Sequence, residues 1–168
     1  MTVVTIPVMP EARFELNQRR AQSNCKALFT LLDDVKDPEI PVLSIWALGV
    51  LQNVEEINGA ITITLTPTYS GCPAMSHIRQ DIHTVLNAAG YDQIIIKEQL
   101  TPAWTTDWLE STTLKQLQTY GVAGPDAAIC PQCGSVETTR ISEFGSTACK
   151  ALWRCDKCLE PFDQFKRI

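Results

Sequence analysis

Two C-x2-C knuckles set the tightest limit on what this chain can fold into. Cys130-Pro-Gln-Cys133 is followed, after 21 residues, by Cys155-Asp-Lys-Cys158. Each knuckle bends the backbone so that two sulfurs point at one centre, and two knuckles complete a tetrahedron of thiolates. About forty residues cannot bury enough apolar surface to fold alone, so a bound metal must supply part of the folding free energy. The spacing reads as a structural zinc (Zn2+) ribbon over residues 129–168, with Cys130, Cys133, Cys155 and Cys158 as ligands. Iron or an iron–sulfur cluster also takes four cysteines. Redox thiols are a third reading, but redox chemistry needs no second copy at this separation. Gly134 can supply the tight turn after the first knuckle. Residues 138–144 and 152–154 read as strands, with Phe162 and Phe165 able to cover them.

Seven cysteines leave three outside that tetrahedron. Cys149, between the knuckles, reads either as a small buried residue of the ribbon sheet or as a fifth thiol available for metal transfer. Cys25 falls in a helix and reads as structural. No apolar run approaches the ~20 residues of a membrane span. The first thirteen residues lack a basic lead followed by an apolar core. The expectation is therefore a cytoplasmic protein, not bound to a membrane, whose cysteines serve as ligands or reactive thiols. A net charge of −5 argues against nucleic acid as a partner, since residues 1–128 carry 8 Lys/Arg against 14 Asp/Glu.

Upstream of the ribbon the pattern is α-β-β-α-β. Leu28, Leu31, Leu32 and Val35 recur at helical spacing over residues 23–35. The helix must stop before Asp37-Pro-Glu-Ile-Pro41, because two prolines three apart suit neither a helix nor a central strand. That stretch is an ordered loop holding two carboxylates. Residues 50–57 and 60–66 flank Asn58-Gly59, the preferred type I′ hairpin turn. Ile61, Ile63 and Leu65 alternate with Thr62, Thr64 and Thr66, giving one buried and one wetter face. A second helix opens at Pro73, with Met75, Ile78, Ile82, Val85, Leu86 and Ala89 as its stripe and Gly90 as its stop. Residues 94–96 make a short strand. Residues 107–120 read as a short helix and 121–125 as a linker. The fold class is α+β: helices packed on a small sheet, then a β-rich four-cysteine ribbon. The expected divisions are a loose lead-in over 1–22, the α/β domain over 23–103, a helical connector and linker over 104–128, and the ribbon over 129–168.

One more thiol stands out. In Thr66-Pro-Thr68-Tyr-Ser-Gly-Cys72-Pro73, Cys72 follows a strand and precedes a helix. The positive end of the helix macrodipole and its free N–H groups favour thiolate there. Cys72 is thus a candidate soft ligand or nucleophile, or else a capping residue without chemistry. Familiar thiol enzymes fit poorly. A cysteine-phosphatase loop needs arginine where Ile78 stands, and a thioredoxin pair needs cysteine at Met75. His77 has no evident orienting carboxylate or amide, and it reads with His83 as a solvent-facing helical residue. No Walker loop or dinucleotide fingerprint is present.

The motifs Asp37-Pro-Glu-Ile-Pro41, Asn58-Gly59 and Thr68-Tyr-Ser-Gly-Cys-Pro73 make residues 23–103 resemble the MIP/SufT-type domains associated with iron–sulfur cluster assembly. With Pro102-Ala-Trp-Thr-Thr-Asp-Trp108, the first knuckle and Ser142-Glu-Phe-Gly-Ser-Thr-Ala-Cys-Lys-Ala-Leu152 added, the chain is similar to the PaaD family of phenylacetate degradation. That resemblance implies an accessory protein encoded with the multicomponent oxygenase that epoxidises phenylacetyl-CoA, and not a catalytic subunit. It implies as partners the epoxidase components, above all the reductase that carries flavin and a [2Fe–2S] cluster, and it makes a homodimer an expectation. By position it makes Asp37 and Glu39 the family's acidic loop and Cys72 its characteristic cysteine, with Thr66 and Thr68 in the same motif. The implied cargo is transient iron or an iron–sulfur cluster. The competing reading is a docking protein with no metal traffic.

Overall fold

The structure is a computed structural model that describes residues 11–168. Its first sheet has the order β1-β2-β3, built from β1 (Leu51–Ile57), β2 (Ala60–Leu65) and β3 (Ile94–Glu98). β1 and β2 form the expected hairpin, and Asn58 and Gly59 both take positive φ, 52° and 81°. β2 and β3 run parallel. A parallel pair needs a crossover, and α3 (Ala74–Ala88) supplies it. Met75, Ile78, Ile82 and Leu86 are the buried stripe of α3, and they meet Ile61, Ile63 and Leu65 of β2 in one core. The short helix α2 (Lys26–Leu32) adds Leu28, Phe29 and Leu32. On the threonine face of β2, expected to be the wetter one, Thr64 is half-buried and Thr62 is buried, as is Thr66 just beyond the strand.

The lead-in expected over residues 1–22 is overturned where it can be seen. Residues before 11 lie outside the described part, but α1 (Glu11–Gln22) is a helix. Only Arg13 and Leu16 of it are buried, so no apolar periodicity announces it. Polar contacts hold it instead. Arg13, 2% exposed, donates through Nε to Glu110 Oε1 at 2.7 Å and stacks on Trp46 with 4.8 Å to the ring centroid. Arg20 reaches the same ring and pairs with Asp33 through two nitrogens.

Trp104 and Trp108 lie on the connector between the sheets and enter the first core. Trp104 donates its indole N–H to the Leu48 carbonyl at 2.9 Å. Gly49 lies against both side chains at φ 76°, a left-handed conformation that favours glycine. A single 3-10 turn (Thr106–Trp108) and α4 (Ser111–Tyr120) follow.

The second sheet has the order β4-β7-β6-β5. Its members are β4 (Val122–Ala123), β5 (Thr138–Ser142), β6 (Lys150–Cys155) and β7 (Pro161–Phe165). Residues 121–125, read as linker, therefore contribute a strand that pairs parallel with β7. Two residues are too short a run to show alternation, which is why the pattern missed it. Phe162 and Phe165, expected as a cover, are themselves strand residues. The sheet's own core is small: Ala123, Cys130, Cys155 and Phe162. Cys149 and Phe165 belong to the large core of the first sheet instead, where Phe165 packs on Trp104 at 5.6 Å.

Candidate functional site

The ribbon cysteines are built by two equivalent turns. Gly134 N–H donates to the Cys130 carbonyl in the first, and Leu159 N–H donates to the Cys155 carbonyl in the second. Gly134 and Leu159 occupy the left-handed region at φ 72° and 65°. The result brings Cys130 Sγ to 3.6 Å from Cys158 Sγ and Cys133 Sγ to 3.5 Å from Cys155 Sγ, with all four sulfurs within 4.8 Å of one another. A tetrahedral ion with bonds of about 2.3 Å needs sulfurs about 3.8 Å apart. The donor set and spacing therefore fit zinc. Backbone N–H groups of Cys158 and Lys157 hold the Cys155 thiol down at about 6. Cys158 has the Glu160 N–H to lower it, yet burial and the neighbouring thiols push it up to about 12. Four thiolates cannot share this space without a cation, so metal binding must displace protons here.

A second cluster forms where three loops meet. The first is the acidic loop. Asp37 is buried and spends Oδ1 on its own loop, accepting from the N–H groups of Glu39 (2.9 Å) and Ile40 (2.8 Å). Burial pushes its carboxyl above the ordinary range, against those two hydrogen bonds. Glu39 points elsewhere and stays partly exposed, and burial and the Asp37 charge raise it too.

The second loop joins β2 to α3. Gly71 takes φ 78°, and α3 begins at Ala74 with Pro73 flanking it, one residue later than expected. Cys72 is half-buried and lines a shallow open cleft with Gly71, Ser76, Arg79 and Glu98. The Thr68 hydroxyl lies 3.9 Å from Cys72 Sγ. Tyr69 has Cys72, Cys149 and Glu39 in its electrostatic surroundings. Burial first, and then these neighbours, push its phenol up to about 12. Thr66 is 1% exposed, and its hydroxyl has no partner among the described residues.

The third loop comes from the ribbon. Thr147 Oγ1 lies 3.1 Å from Cys149 Sγ, and Thr147 acts to lower the Glu39 carboxyl against its burial. Burial raises the Cys149 thiol, and the charges of Glu39 and Cys72 push it the same way. Lys150, 4% exposed, pairs with Asp163 at 3.6 Å and lowers Asp37 and Glu39 through its charge.

The structure thus brings Thr68 and Cys72 together, while no contact joins Glu39 to Cys72 among the described residues. Asp37 shapes the acidic loop rather than offering both oxygens outward. Thr66 is buried just upstream, with its hydroxyl unspent. Tyr69, Thr147 and Lys150 are the members that sequence reasoning missed. Tyr69 lay inside the quoted motif, while Thr147 and Lys150 carried no spacing signal. His77 and His83 are exposed on α3, away from this cluster. No helix among the described residues is long and apolar enough to cross a membrane.

Comparison with known proteins matches two stretches of the chain to two families. Residues 26–92 match the family described as iron-sulfur cluster assembly protein, and residues 115–166 match the PaaD zinc beta ribbon domain. A protein of Escherichia coli (strain K12), named as a putative subunit of 1,2-phenylacetyl-CoA epoxidase, is 46% identical over 151 residues, spanning 84% of this chain and 92% of that protein. A "Fe-S protein maturation auxiliary factor" of Porphyromonas gingivalis (strain ATCC BAA-308 / W83) is 33% identical over 89 residues, covering 52% of this chain and 84% of the relative. The crystal structure of a domain of unknown function, DUF59, from Bacillus anthracis superposes with a TM-score of 0.51 at 25% identity, covering 62% of this chain and 95% of that one.

Proposed function

This chain belongs to the PaaD family, that of the E. coli protein named for the epoxidase, and from that premise we propose that it is an accessory factor of a phenylacetyl-CoA epoxidase system. It assists the assembly or maturation of an iron–sulfur or iron site in an oxygenase or reductase component. It turns over no substrate of its own. Its partners are the other epoxidase components, the iron–sulfur reductase first among them.

The observation that carries this reading is Cys72, half-buried at an open cleft with the Thr68 hydroxyl 3.9 Å from its sulfur, inside a domain that matches the iron–sulfur assembly family. A thiol, a carboxylate and hydroxyl oxygens together suit ferrous iron, which accepts sulfur and oxygen donors alike. Cys72 sits on an open cleft, so a cargo could arrive and leave. In this reading Cys72 holds iron or a cluster transiently, Glu39 supplies a charged oxygen, and Thr68 and Tyr69 orient the thiol. Asp37 holds the loop that presents Glu39. The ribbon is a structural and docking module in which Cys130, Cys133, Cys155 and Cys158 hold zinc.

The test is client occupancy. The reductase component is matured in cells that carry either the wild-type chain or Cys72→Ser, and its iron and sulfide content is measured. The reading expects the variant to lower that content as far as deleting the chain does. A docking protein without metal traffic would leave cluster content unchanged in Cys72→Ser.

A further inference from the structure

β3 is an edge strand. It pairs with β2 on one side and, among the described residues, with no strand on the other. Its ladder runs past both ends of the strand, since Ile61 N–H donates to the Gln93 carbonyl and Gln99 N–H donates to the Leu65 carbonyl. Three consecutive isoleucines, Ile94, Ile95 and Ile96, occupy that edge, and Ile95 is 48% exposed. Soluble proteins ordinarily blunt such an edge with a charge, a proline or a bulge, because its free N–H and C=O groups template pairing with another strand. Here the isoleucines stand bare, and charge begins only beyond them at Lys97 and Glu98.

The opposite edge, β1, does not suit the same pairing. Arg19 donates to its Gln52 carbonyl at 3.5 Å, and its far end carries the exposed pair Glu55 and Glu56. Two copies joined there would gather four carboxylates, and like charges across a ladder are destabilising. β3 differs, because its residues complement their own copies. In an antiparallel pair about a two-fold axis at Ile95, Ile95 faces its twin and Ile94 faces Ile96 of the second copy. No other register of two identical strands sets every isoleucine opposite an isoleucine. Lys97 then faces the neutral Gln93, and Asp92 faces Glu98. Glu98 is already paired with Arg79 of α3, so Asp92 of the second copy meets a guanidinium there. One arginine held between two carboxylates is a complementary contact, and the symmetry makes it twice.

We infer that two copies of this chain join edge to edge through β3, antiparallel about that axis, so that two three-stranded sheets become one of six strands. The pairing stands apart from metal handling but reaches its site. Arg79 and Glu98 line the open cleft of Cys72, so each copy brings its Asp92 to the rim of the other's cleft. Within one chain, Asp92 lies six residues from Glu98 along extended backbone, about 20 Å away, and does not reach the same arginine.

Analytical ultracentrifugation of the zinc-loaded full chain tests it. The wild type should be a dimer in reversible equilibrium. Ile95→Lys sets two lysines against each other on the axis, and it should be a monomer at concentrations where the wild type is a dimer. Retained zinc and an unchanged far-UV circular dichroism spectrum show that this variant is folded. Ile141→Lys, at the 55% exposed isoleucine of β5, should leave the dimer intact. A monomeric wild type, a dimer that survives Ile95→Lys, or one lost instead in Ile141→Lys would overturn the inference.

Two further readouts do not depend on Ile95→Lys folding. Arg79→Glu should weaken the dimer, and adding Asp92→Lys to it should restore association, because that attraction runs only between copies. A double variant that stays as weak as Arg79→Glu would overturn the register. In hydrogen exchange on the wild type, amides of residues 94–98 should exchange more slowly as protein concentration rises. Exchange there that ignores concentration would overturn the pairing itself, and leave the reading of Cys72 untouched.

Discussion

Leu159 takes the place in the second knuckle that Gly134 takes in the first, in the same left-handed conformation. A side chain there costs about 1–2 kcal/mol, and Leu159 recovers little by packing, being 67% exposed. Leu159→Gly should therefore raise the thermal midpoint of the zinc-loaded chain, or at least not lower it. A clear drop in a calorimetric scan would contradict that account of the turn. Asp37 is the second residue to test. Burial raises its carboxyl, so the folded state holds that proton more tightly than the unfolded chain does. Its contribution is then fullest below about pH 3.9, the unfolded value, and is lost as pH rises through the folded one. Asp37→Asn keeps an acceptor for the Glu39 and Ile40 N–H groups but carries no charge. Its stability relative to wild type should improve with rising pH in urea titrations. Asp37→Ala orphans two N–H groups and should cost roughly 1–3 kcal/mol. The motif around Asp37 was legible in the sequence, but its role was not. A buried carboxylate feeding its own loop and a ligand aimed outward have the same spelling.

At the scale of elements, what could be read tracks how each element is held. The hairpin at Asn58-Gly59 and the stripe of α3 follow from local chemistry and apolar period, so both were visible in the sequence. α1 escaped because its anchor is an arginine, whose partner Glu110 lies 97 residues away. Glu110 is lowered by Asn17 and Arg13 in spite of its burial. That stabilisation is present above its ordinary value, about pH 4.3, and is lost as pH falls through the lowered one. Glu110→Ala should leave the buried Arg13 charge unpaired and cost roughly 3 kcal/mol, read as a fall in the urea midpoint. If the midpoint is unchanged, α1 is not docked through this pair. The turn before β6 offers a packing test. A Cβ at Gly145 would lie 2.3 Å from Asp163 Oδ1. Gly145→Ala should push Asp163 off Lys150, and an unchanged midpoint would show the turn to be slack.

For the whole molecule, the ribbon and the first sheet share a core through Cys149, Phe165 and Trp104. The sequence showed two modules, and composition cannot report that one of them lends residues to the other's core. The same blindness hid the place of Cys149 in the core against which Cys72 packs, 77 positions away in the sequence. Removing zinc should therefore disturb more than the knuckles. Amide signals of residues 66–72 should shift when a chelator strips the metal, and unshifted signals would mean that the modules fold independently.

The central claim is metal handling at Cys72, and its most direct test is a count of metal and acid-labile sulfide per chain. The protein is purified without air, offered ferrous iron and sulfide, desalted and assayed for zinc, iron and sulfide. The account predicts about one zinc per chain, together with iron and sulfide that are lost in Cys72→Ser while zinc stays. A wild-type chain that holds zinc and takes up no iron, or a Cys72→Ser chain that takes up as much as wild type, would contradict it.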